Sequence, residues 1–269
     1  MAYEKLTNPP VVEFSLGVQF APLARLGAGH LGRFWNTMNL GEWTDSTDEQ
    51  PLEDQFELFD KPRWSVRASP RLRFFAKPPV RRMRLMHESR EKMIQLQATR
   101  LHFNWLKTLE FKPSYGSLIA EFLEIVRKFA EFVDGAGVGK LAPNQWELTY
   151  VDAFFQDEDW TTPADWKFVL PGLFGALFSD GEGEELVLDY RNAEWSFEIP
   201  PKRGRVHMSA RPGRWSRDKR SALILTTTAR GPLEGTGVEE MRAGLDIGHE
   251  KAVSVFFKSV DKRLLEKWR

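Results

Sequence analysis

From Val12 to Phe20 every second residue is apolar: Val12, Phe14, Leu16, Val18 and Phe20 share one face, and Glu13, Ser15, Gly17 and Gln19 share the other. Only an extended strand with one buried face sorts side chains this way. The preceding Pro9-Pro10 pair cannot donate into a ladder and marks the strand start. The same period recurs in Met93 to Trp105, where Ile94, Leu96 and Ala98, then Leu101, Phe103 and Trp105, alternate with polar residues across a tight turn. Gln145 to Phe155 repeats it. A chain with several such segments must bury one sheet face and keep a polar one.

Helical spacing takes over elsewhere. A helix is expected around Leu26 to Asn39, and another over Ser114 to Asp134. The second carries the stripe Tyr115, Leu118, Ile119, Phe122, Val126, Phe129 and Val133, with Gly135 as its stop. Leu186 to Ile199, Arg205 to Ala210 and Ala222 to Ala229 read as a meander. A last helix runs to about Leu265, opened by a capping box of Thr236 and Glu239. A meander closed by a long helix, twice, predicts an α+β fold. In it, antiparallel sheets pack with long helices in two pseudo-repeated halves, residues 1–156 and 157–269.

Composition narrows the chemistry. The 269 residues are 42% hydrophobic, enough for a sizeable core. Thirty-eight basic residues balance thirty-eight acidic ones, which argues against a surface that is basic throughout. There is no cysteine, so disulfides, zinc-thiolate sites and cysteine nucleophiles are excluded. No stretch approaches the roughly 18 apolar residues of a membrane span, and Met1 to Asn8 has no apolar core of a signal peptide. The expectation is a soluble, cytoplasmic protein with no membrane partner.

"NPPVVEFSLGVQFAPL", "IQLQATRLHFNW", "YGSLIAEFLEIVRKFAEF", "NQWELTYVDAF" and the terminal "LDIGHEKAVSVFF" together resemble a sporadically distributed family of uncharacterised bacterial proteins. Its members are about this long and open with an Asn-Pro-Pro strand. The resemblance brings no activity or cofactor with it. The family's patchy distribution is of the kind seen for mobile-island and phage-defence genes, which implies an accessory or immunity-type factor.

Several motifs fail on context. "GAGHLG" (Gly27 to Gly32) has dinucleotide-loop spacing, but no second parallel strand with a terminal acid about 20 residues on follows it. "GAGVGK" (Gly135 to Lys140) ends a helix instead of opening one, and Leu141 stands where a phosphate loop needs Ser or Thr. Asp246 and His249 share a helix face at i,i+3, but His249 falls on the apolar stripe and reads as a core or interface histidine. No cofactor or metal site is therefore expected.

Two features point to binding. Trp64, Arg71, Arg73 and neighbours, and Arg211, Arg214, Trp215 and neighbours, interleave cations with aromatics as single-strand nucleic-acid grips do. Adjacent acidic runs, Glu42 to Asp60 and Asp180 to Glu185, offer them ordinary ion-pair partners. The polar strand faces carry Glu13, Gln97, His102, Asn104 and Glu147, with Glu13 and Glu147 placed to share a proton or a cation if the face is covered. With no catalytic constellation legible, the chain reads first as a non-enzymatic binding or interaction protein with a protein partner. A nucleic-acid binder and a small-molecule sensor or enzyme on the polar face are the alternatives, and a homo-oligomer stays open.

Overall fold

The computed structural model describes residues 6–38, 41–59, 81–108, 113–175, 188–215 and 218–269. Their strands are β1 (Val11–Phe20), β2 (Asp45–Glu49), β3 (Arg82–Met86), β4 (Lys92–Gln97), β5 (Arg100–Leu106), β6 (Pro143–Phe155), β7 (Ala193–Ile199), β8 (Gly204–Arg214) and β9 (Ser221–Pro232). The helices are α1 (Ala28–Thr37), α2 (Tyr115–Gly135), α3 (Trp166–Val169), α4 (Val238–Ser259) and α5 (Lys262–Lys267).

All nine strands form one sheet, in the order β2-β3-β4-β5-β1-β6-β9-β8-β7, and every pair in it is antiparallel. This corrects the expected α+β arrangement of sheets and long helices in two repeated halves. The join is the ladder between β6 and β9, which runs from Gln145↔Pro232 to Phe155↔Ala222. With β1 on its other side, β6 has no free edge at which a sheet could end. Among the described residues the sheet also has no parallel pair of strands of the kind a dinucleotide loop at Gly27 would require.

The apolar face lies under α2 and α4. Phe14, Leu16, Val18 and Phe20 of β1 join Phe122, Val126 and Phe129 of α2 in one buried cluster, and Phe34 of α1 packs edge-on to Phe129 at 5.2 Å. Ser114 caps α2 by accepting from Ser117 N at 3.1 Å. The expected capping box at Thr236 does not form: Gly237 is the N-cap of α4 and no side chain bonds there. Nor is the last helix continuous. It breaks after Ser259, and Asp261 then caps α5 by accepting from Arg263 N at 2.9 Å.

Trp146 fixes α4 to the sheet. A Cβ added at Gly204, Gly231, Gly244 or Gly248 would fall 2.9, 2.7, 2.3 or 2.5 Å from its indole. Glycines from β8, β9 and α4 thus form the slot for one buried ring. No helix of the described residues is long and apolar enough to cross a membrane.

Candidate functional site

Because the β1–β6 register is unbroken from Glu13 to Gln19, the polar face there is a grid. One row across the strands is Gln97, Arg100, Gln19 and Gln145. The next is Gln95, His102, Gly17, Glu147, Arg230, Arg205 and Glu198. The third is Asn104, Ser15, Thr149, Thr228, His207 and Ser196. The face is not open throughout. Residues 51–58, between β2 and β3, cross the first row as a strap.

Three glutamines hold the strap by its main chain. Gln97 accepts from Leu52 N at 2.8 Å and donates to Leu52 O at 2.9 Å. Gln19 accepts from Gln55 N at 3.3 Å. Gln145 accepts from Glu57 N at 3.1 Å and donates to Gln55 O. Arg100 is tied down by Gln19, donating to its Oε1 at 2.7 and 3.1 Å.

The strap delivers the Glu57 carboxylate into a socket of cations. Oε2 accepts from Arg205 at 2.8 Å, and Oε1 accepts from Arg230 Nε at 2.6 Å and meets His207 Nε2 at 2.6 Å. The Glu57 side chain is only 7% exposed. Burial alone would raise its pKa, but the bonds from His207, Arg205 and Arg230 outweigh burial and hold the carboxyl at about 2. Arg205 also stacks over Phe59, 4.4 Å from the ring centre.

Beside the socket lies an open groove of about 1010 Å³. Arg100, His102, Glu147, Arg205, His207 and Arg230 line it with Ser196, Ser209, Thr226 and Thr228. Glu147 reaches Arg230 at 3.4 Å. His102 Nε2 is 4.0 Å from Glu147, but burial pushes its imidazole down to about 4, so it is neutral at pH 7 and the contact is no ion pair. Its ring lies flat on Gly17, where a Cβ would come within 2.8 Å of it.

Of the residues expected on this face, the structure brings His102 and Glu147 to the groove. Gln97 lies under the strap. Glu13 and Asn104 belong to a separate chain of hydrogen bonds, in which Arg82 donates to Gln95, Gln95 to Asn104 (2.8 Å) and Asn104 to Glu13 (2.6 Å). Burial raises the Glu13 pKa against that bond. Glu13 and Glu147 therefore share no partner here. Their strand positions, Gly17↔Glu147 and Glu13↔Val151, explain why: the two carboxylates stand two rows apart.

Trp64, Arg71 and Arg73 lie outside the described residues. Arg211 and Arg214 are exposed toward the far end of β8, away from the groove lining, and Trp215 is half-buried against the small cluster of Val12, Ala153 and Ala222. Basic and acidic runs do meet where they are described: Arg84 pairs with Glu49 at 3.0 Å and Arg205 with Glu57. His249 is held as expected of a core or interface histidine, stacked on Tyr115 at 3.9 Å and bonded to the Tyr150 hydroxyl at 2.8 Å. Among the described residues no cluster of three or more His, Asp or Glu side chains is arranged to hold a metal ion.

Sequence reading missed Glu57, Arg205, His207 and Arg230 as a unit. It also missed the series Ser196–His207–Glu57, in which Ser196 Oγ lies 3.1 Å from His207 Nδ1. That series has the composition of a hydrolytic relay. The Glu57 carboxylate, however, is shared with two guanidinium groups, Arg205 on Oε2 and Arg230 on the same Oε1 that meets His207, so its charge is not directed at the histidine alone. The arrangement is suited to holding negative charge.

No family model and no curated protein matches the chain. Among solved structures it is similar to DynU16, from the dynemicin biosynthetic locus. The two are 15% identical over 66% of this chain and 77% of that one, with a TM-score of 0.20, and a likeness at that level carries no argument.

Proposed function

We propose that the protein is a binding protein that takes an acidic group of its ligand or partner on the polar sheet face, at the Arg205–His207–Arg230 socket. One observation carries the reading: three cationic or ionisable donors on neighbouring strands converge on a single carboxylate at 2.6 to 2.8 Å. Charge-assisted bonds of this length are the strong ones, and guanidinium forks suit carboxylates and phosphates. The adjoining groove leaves room for the rest of such a ligand.

Glu57→Ala tests it. Removing the carboxylate leaves buried cations without their partner, which costs about 3 kcal/mol or more. Acetate or phosphate should then raise the Tm of the variant in a saturable way, and leave the wild type almost unmoved. Chloride at the same ionic strength should leave both chains almost unmoved. A variant that responds to all three salts alike would remove the reading.

A further inference from the structure

Resting on that reading, we infer that the partner is an extended peptide segment with an acidic anchor residue, and that residues 52–57, which form one wall of the groove through Leu52 and Gln55, are a resident peptide on the same sheet face. A primary amide offers an acceptor and a donor side by side, as a neighbouring strand does. Gln97 uses both on Leu52, and Gln145 bridges Glu57 N and Gln55 O. With Gln19 on Gln55 N, these contacts read main chain and ignore side-chain identity. Three strap side chains are read as well: Asp54 accepts from Thr99 at 2.8 Å, Gln55 accepts from Arg230, and Glu57, the most buried of them, fills the socket and is the main source of selectivity. At a sheet edge, extended peptides are received by main-chain bonds for affinity and side-chain pockets for specificity; here glutamine amides on the sheet face take the place of the edge's main chain.

The strap is also held the way a ligand is held. Phe56 and Leu58, its large apolar residues next to the anchor, are 56% and 59% exposed, so burial of these side chains does little to fix it. Its polar contacts can be replaced one for one by a second peptide, and the open groove over β9 and β8 lets that peptide land before the strap leaves. In this arrangement the strap competes with the partner and sets its apparent affinity.

The probe is a fluorescent peptide of sequence PLEDQFELF, residues Pro51–Phe59, added to the full chain. It should bind the Glu57→Ala and Glu57→Gln chains at least about tenfold more tightly than the wild type, because the internal competitor is weakened. The peptide carrying Gln at the anchor position should lose about tenfold or more on the same chains. Equal binding to wild type and variants, or indifference to Glu against Gln, would overturn the inference. If Glu57→Ala accepts acetate but not the peptide, the acidic socket stands and the peptide partner falls. If it accepts neither, both fall.

Discussion

The stability of Asp152→Asn relative to the wild type is expected to rise by about 4 kcal/mol between pH 4 and pH 7. Asp152 is 1% exposed toward the C-terminal end of β6, and its Oδ1 has no hydrogen-bond partner. Burial pushes its carboxyl from 3.8 up to about 8. The folded chain therefore keeps the proton at pH 7, and the unfolded chain releases it. The sign follows: the unfavourable contribution is absent below pH 3.8, grows as pH rises, and is constant above pH 8. Asparagine has nearly the same shape and no proton to release, so its advantage should grow with pH over that window. His102, whose imidazole is held low, gives the opposite slope between pH 4 and 6.5, but it does so in both chains and cancels in the difference. Urea unfolding of both chains across pH 4 to 8 is the check. A difference that does not change with pH would show that Asp152 is ionised in the folded chain.

The second large effect is at the indole slot. Gly244→Ala with Gly248→Ala should cost about 4 kcal/mol, because overpacking of up to about 3 kcal/mol at each site exceeds the gain of about 1 kcal/mol in helix propensity. The new methyl groups would sit 2.3 and 2.5 Å from Trp146, inside any tolerable contact. Trp146→Leu alone should also destabilise, by opening a cavity. Combined with the two alanines it should cost far less than the sum, since the methyls then fill the space the ring leaves. A double-mutant cycle in urea reads this directly, and additivity would contradict it. The consequence reaches the groove: α4 packs on β6, β9 and β8, which carry Glu147, Arg230 and Arg205 on their other face.

Local pattern made much of the fold legible. β1, the β4–β5 hairpin, α2 and β6 fall where period two and period 3.6 place them, because each has one buried face that repels polar residues. The joining of the strands was not legible. Two meanders each closed by a helix describe two sheets as well as one, and the choice lies in the β6–β9 ladder, between residues far apart in sequence. The polar face followed the same division. Gln97, His102 and Glu147 were on it by alternation alone. Glu57 has no periodic signal, since it lies in a strap with no ladder of its own. Arg205 and Arg230 become a pair only through the register Arg205↔Arg230, which no local pattern states.

The most direct measurement is the titration of the Glu57 carboxyl carbon by NMR in the intact chain, beside an Arg230→Leu variant. The socket predicts a carboxylate still ionised at pH 3, with a midpoint at about 2, and a midpoint moved up toward the ordinary 4.5 when Arg230 is removed. A wild-type midpoint at 4.5, unchanged by the variant, would mean that Glu57 does not sit among Arg205, His207 and Arg230, and the account of the groove would fail with it.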